Sequence, residues 1–232
     1  MNEVLDAFGI ALRLVGSNDA ELGRIVLLSL QVSLLAVAAG CLIGFPAGAA
    51  LAIFRFPGRA VVLVVVNGLL GFPPVVVGLL VYLLLSRAGP LGSLGLLFTP
   101  GAMVIAQAIL VTPIVTALTH RAMAELWRDY GDALQTDGAS RLRAMPVLLS
   151  IGRAALVTAF LTGFGRAISE VGAIIVVGGN IARVTRTMTT TIALETARGD
   201  LALALGVGIV LLTLSIAVSG TTFAVTRRSA LA

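Results

Sequence analysis

Five long apolar blocks dominate this chain, at about Ile25–Ala52, Val61–Leu85, Ala102–Leu118, Leu156–Val177 and Leu201–Val225. A helix needs about 20 apolar residues to cross the hydrocarbon core of a bilayer. Inside that core no water satisfies the backbone, so each block must close its hydrogen bonds as a helix. Composition agrees: 12% of the residues are charged, against about 25% in a soluble domain, and the mean hydropathy is +1.07. The expected fold is all-α, a polytopic membrane helix bundle with five transmembrane helices. In the second block Pro73 and Pro74 remove two consecutive backbone donors, so that helix should kink or break there.

Residues 21–228 form the expected transmembrane domain. Before it, residues 1–20 carry Leu5, Phe8, Leu12 and Val15 at helical spacing, as an amphipathic surface helix or a flexible extracytoplasmic segment. The same stretch holds Glu3, Asp6 and Asp19 and lacks a positive n-region, so no cleavable signal peptide is expected. A short C-terminal tail occupies residues 229–232.

All 16 basic residues are arginine. Without lysine the chain lacks the residue a P-loop uses to grip phosphate, and it cannot form a Schiff base. A single cysteine, Cys41, precludes an intrachain disulfide, and one His with one Cys falls short of the usual zinc cluster. No cofactor or metal is expected on this chain. The basic balance does not point to nucleic acid, because the arginines cluster at the ends of the apolar blocks, as cytoplasmic loops require. Nine of them (Arg55, Arg59, Arg121, Arg128, Arg141, Arg143, Arg153, Arg227, Arg228) fall on one side of a five-span arrangement and six on the other. The richer side is expected to be cytoplasmic, which places the N-terminus outside and the C-terminus inside.

Two motifs carry the functional reading. The polar stretch at about 119–147 contains Asp132-Ala133-Leu134 and, three residues on, Gly138-Ala139-Ser140. It resembles the Glu-Ala-Ala-x-x-x-Gly coupling loop of ABC importer permeases, with Asp132 in place of Glu and Leu134 in place of Ala. The second motif, Gly163-Phe164-Gly165-Arg166-Ala167-Ile168-Ser169-Glu170-Val171-Gly172-Ala173 followed by Gly178-Gly179-Asn180-Ile181, is similar to the fourth span of oxyanion importer permeases. Phe72-Pro73-Pro74-Val75-Val76-Val77-Gly78, Ser86-Arg87-Ala88-Gly89-Pro90-Leu91-Gly92 and Thr187-Met188-Thr189-Thr190 extend the likeness, most closely to the tungstate permeases, with the molybdate and sulfate permeases as relatives.

The resemblance implies a type I ABC importer permease fold in the cytoplasmic (inner) membrane. It implies a homodimer of permease subunits, two cytoplasmic ATP-binding subunits that carry ATP and Mg, and an extracytoplasmic solute-binding protein. It further implies that Asp132, Ala133, Leu134, Gly138, Ala139 and Ser140 couple the chain to the ATPase.

On the residues themselves, Thr158, Thr162, Arg166 and Glu170 repeat every four positions, with Ser169 beside them, so on a continuous helix they share one face. Charges at mid-membrane cost about 2.5–3.5 kcal/mol on insertion scales and should face protein or water. These five residues are therefore candidates for the translocation pathway or a gate, or for a bracing ion pair within the bundle. The Thr-rich stretch Thr185–Thr191 offers hydroxyls to an oxyanion or forms a solvated turn against a binding protein, and the second reading is preferred. His120 is expected as a wet loop residue and Trp127 as an interfacial anchor. A membrane-embedded enzyme would need clustered acids, His or nucleophiles at one depth, and a passive channel would have no use for a coupling loop.

Overall fold

The computed structural model describes residues 20–231 and Gly9, and the expected surface segment of residues 1–20 lies almost wholly outside them. Among the described residues the chain is all-helical. Nine α-helices run in order: α1 Ala20–Ile53, α2 Arg59–Gly68, α3 Pro74–Leu85, α4 Pro100–Thr136, α5 Arg141–Ile151, α6 Arg153–Ile168, α7 Gly172–Gly178, α8 Met188–Arg198 and α9 Leu201–Leu231. Three segments, Ala20–Ile53, Pro100–Thr136 and Leu201–Thr222, are long and apolar enough to cross a membrane alone. Two broken pairs, α2 with α3 and α5 with α6, bring the count of possible spans to five.

The second block breaks where expected. A 3-10 turn at Leu69–Gly71 ends α2, Phe72 and Pro73 are extended, and Pro74 opens α3 at a position where its missing N–H costs nothing. The third block departs from expectation. The residues from Thr119 onward are not a loop, because α4 continues to Thr136. That stretch holds no proline, and Ala, Met, Glu, Leu, Arg and Gln are good helix formers, so nothing stops the helix before Asp137-Gly138.

Burial is arranged for a lipid solvent. Leu42 and Ile216 are 78% and 71% exposed, whereas Gln107 and Glu170 are 1% and 4% exposed. Polar groups turned inward and apolar ones outward suit a surrounding that cannot hydrogen-bond.

The chain forms two compact units, each assembled from distant segments. Among the described residues the first comprises 20–36, Pro73–Gln107 and Ala167–Gly220. Here α3 packs along α7, Phe98 N–H donates to Val177 O at 3.0 Å, and the Tyr82 and Phe98 rings meet edge to face at 6.2 Å. The second comprises Val37–Phe72, Ala108–Arg166 and Thr221–Ala232. In it Gly40, Gly44 and Gly48 form a small-residue stripe along α1, four residues apart, against α4. A Cβ on Gly48 would lie 2.7 Å from Thr116 O and 2.9 Å from His120 N. Such close backbone approach is how helices associate when lipid removes the hydrophobic drive. Arg59 Nε donates to Leu51 O at 2.6 Å and Arg59 Nη2 lies 3.3 Å from His120 Nε2. His120 is therefore a half-buried helix residue in contact with Arg59, not a solvated loop residue.

Candidate functional site

The residues expected to couple the chain to an ATPase sit at a helical corner of the second unit. Asp132, Ala133 and Leu134 lie in the last turns of α4, and the corner spans Asp137–Ala139. Gly138 adopts φ +81°, a conformation open to glycine and costly for a side chain. Gly138 N–H donates to Gln135 O at 3.0 Å and Ala139 N–H to Leu134 O at 2.9 Å, closing the end of α4. Ser140 caps α5, its hydroxyl accepting from Arg143 N–H at 3.4 Å. Asp132, Ala133, Gly138 and Ser140 are exposed, and Leu134 is half-buried. Leu134 packs with Trp127, Leu126 and Met145 around a core of Ala49, Ala52, Ile53, Met123 and Leu148. Trp127, expected as an interfacial anchor, thus also braces this corner. The corner is fastened to the ends of α1, α4 and α5.

Among the residues proposed for the pathway, Thr158 and Thr162 lie on α6 and are exposed, while Arg166 is half-buried in its last turn. Both hydroxyls donate along their own helix, Thr158 to Ala154 O at 3.1 Å and Thr162 to Thr158 O at 2.8 Å. The single face expected from Thr158 to Glu170 is not formed. The helix stops at Ile168, and Ser169, Glu170 and Val171 leave it before α7 begins.

A polar knot in the first unit explains the stop. Gln107 Nε2 donates to Ala167 O at 2.8 Å, and Glu170 N–H reaches the same carbonyl at 3.2 Å in a tight turn that closes the helix. Glu170 turns back so that its Oε1 accepts from Ala173 N–H at 3.2 Å, at the start of α7. Thr189 Oγ1 donates to Glu170 O at 2.9 Å. One side chain from α4 and one from α8 therefore fasten the break, and the Glu170 carboxylate caps the first turn of α7. Ser169 stays exposed in the turn.

The Thr-rich stretch is also not the solvated turn expected for it. Thr185, Thr187, Thr189, Thr190 and Thr191 are all buried. Thr185 Oγ1 accepts from Ile181 N–H at 2.9 Å and donates to Gly178 O at 2.6 Å. Thr187 and Thr190 form a reciprocal capping box at the start of α8. Met188 N–H donates to Ser29 Oγ at 2.9 Å, tying α8 to α1. The hydroxyls are spent on local structure because a buried backbone end in an apolar surrounding needs them. In the sequence Gln107 is only a polar residue within a span. Its partner lies 60 positions away, and no local signal marks that pairing.

Comparison with known proteins is consistent with this architecture. Residues 42–230 match the family described as the binding-protein-dependent transport system inner membrane component. The chain is 40% identical over 207 residues to a probable anion ABC transporter permease protein of Haloferax volcanii, covering 87% of this chain and 89% of that one. It is 38% identical over 219 residues to the tungstate uptake system permease protein TupB of Peptoclostridium acidaminophilum, covering 94% and 96%. A sulfate transport system permease protein, CysW of Synechococcus elongatus, is 31% identical over 73% of this chain and 62% of its own length. With its all-helical, multi-span build, the chain belongs to the family of inner membrane components of binding-protein-dependent transport systems.

Proposed function

We propose that this chain is the permease subunit of an ATP-driven importer for a tetrahedral oxyanion, tungstate in the first place. The observation that carries the reading is the near full-length likeness to the tungstate uptake permease. The likeness to the anion permease from Haloferax volcanii and to the more distant sulfate permease supports a substrate of the same chemical class. Energy comes from two ATP-binding subunits that hold ATP and Mg, because this chain has no lysine for a P-loop. A second copy of the chain completes the path, and a solute-binding protein delivers the anion from outside. The arginine-rich side is cytoplasmic and the N-terminus lies outside.

In this reading the α4–α5 corner from Asp132 to Ser140 docks on the ATPase and passes its motion to the spans. Its rigidity suits that task, since a helix end fixed in a packed core transmits displacement where a loose loop would absorb it. Thr158, Thr162 and Arg166 face the path along α6, with Arg166 supplying attraction for the anion. Conduction needs binding strong enough to admit the ion and weak enough to release it. One half-buried guanidinium from each copy, flanked by satisfied hydroxyls, meets that need. Glu170 and its knot hold the break after α6 in place.

Expressed with its ATP-binding and solute-binding subunits in cells lacking oxyanion importers, the chain is expected to support ATP-dependent tungstate accumulation. Gly138→Val places a branched side chain at φ +81°, a conformation costing roughly 1–2 kcal/mol. It is expected to weaken co-purification of the ATP-binding subunit and to cut uptake severalfold while membrane insertion is unchanged. Full assembly and full uptake by that variant would remove the corner from the coupling path.

A further inference from the structure

A second basic site lies in the first unit, away from the coupling corner. A cavity of about 200 Å³ is lined by Glu21, Arg24 and Gln31 of α1 and by Arg183 and Arg186 of the turn before α8, with an apolar wall that includes Leu28. Three guanidinium groups against one carboxylate give the cavity an electropositive lining. Arg186 Nε is buried and has no hydrogen-bond partner among the described residues. A buried, unsatisfied donor on a charged group costs free energy, so the protein alone satisfies the Arg186 guanidinium only in part, and its residue lines the cavity.

The backbone that carries Arg183 and Arg186 is held in place. Ile181 O accepts from the N–H groups of Val184, Thr185 and Arg186 at 3.0–3.1 Å. Thr185 pins the same turn to Gly178 and Ile181, and Arg183 adopts φ +64° within it. The bond from Met188 N–H to Ser29 Oγ fixes the α1 wall against the turn. Both sides of the cavity are thus set before any ligand arrives, which lowers the ordering cost of binding.

We propose that this cavity is an accessory site for a tetrahedral oxyanion group, either a free oxyanion or the phosphate of an anionic lipid, with Arg186 as its central donor. The cavity exceeds what one such anion fills, and guanidinium forks match tetrahedral oxyanions in geometry and charge. Glu21 sets a limit on affinity and disfavours a fully buried, irreversible occupant. The site stands apart from the transport reading, and its test needs no transport.

The purified full-length chain is placed in nanodiscs of phosphatidylcholine, and thermal unfolding is followed while sodium tungstate is titrated at low ionic strength. A parallel set of nanodiscs contains phosphatidylglycerol in place of the titrant. Wild type is expected to be stabilised in at least one arm, and in the tungstate arm added salt should weaken the effect. Arg186→Gln is expected to need about tenfold more ligand for the same shift, in keeping with loss of a charge-assisted hydrogen bond. Arg24→Gln, at an exposed position with little bearing on folding, is expected to weaken the response in the same direction. A response to tungstate identifies a free oxyanion as the ligand, and one confined to phosphatidylglycerol identifies the lipid phosphate. Absence of stabilisation in both arms, or responses unchanged by both substitutions, would overturn the proposal.

Discussion

Glu170→Ala is expected to destabilise the folded chain by about 1–3 kcal/mol, the cost of stranding a buried donor. The donor is Ala173 N–H, which bonds Glu170 Oε1 at 3.2 Å in a setting where Glu170 is 4% exposed. A loss of that size shifts the folded population by about five- to 150-fold, and uptake should fall with it. Glu170→Gln keeps an acceptor oxygen at the same reach. It is expected to retain the fold and most of the uptake. Thermal unfolding and uptake measured on both variants separate the two roles open to this residue. A glutamine variant as defective as the alanine one would show that the carboxylate charge, not the cap, is what transport uses. Gln107→Leu should destabilise the same break less than Glu170→Ala, since Ala167 O keeps its bond from Glu170 N–H at 3.2 Å.

The second large effect is steric. Gly48→Leu is expected to abolish accumulation of folded protein in the membrane, because the new side chain meets α4 backbone rather than movable side chains. Thr116 O and His120 N stand 2.7 and 2.9 Å from where a Cβ would sit. Even Gly48→Ala forces α1 and α4 apart and should cost about 1–3 kcal/mol, the range for overpacking. Size-exclusion profiles of the solubilised variants report this directly. A monodisperse, full-yield Gly48→Leu protein would mean that the close approach of α1 and α4 is not required.

The spans are legible in the sequence because their signal is local and redundant. The first, third and fifth apolar blocks declare a helix through their length alone, and Pro73-Pro74 declares the break in the second. The stretch after Thr119 misleads because polarity is a poor guide to loops: its residues favour helix, and α4 runs on until Asp137-Gly138. The break after Ile168 is hidden for the opposite reason. Residues 163–177 hold no proline, and the partners that stop the helix there are Gln107 and Thr189 from other segments. The buried threonines mislead because composition says where hydroxyls are, not whether the backbone ends beside them are buried. Thr187 and Thr190 cap each other at the start of α8, where bulk water is absent. Resemblance alone points to Asp132–Ser140 as a coupling segment, and the structure adds that Leu134 of that segment packs beside Trp127 on the Met123–Leu148 core.

The central claim is that this chain carries a tetrahedral oxyanion, tungstate first, through the membrane at the expense of ATP. The most direct test is tungstate accumulation in cells expressing the chain with its partner subunits, with molybdate and sulfate as competitors. Saturable tungstate uptake is expected, resisted by sulfate in excess and lost when the ATP-binding subunit is made catalytically inactive. Uptake that persists with the inactive subunit, or the absence of uptake for all three oxyanions, would contradict the account.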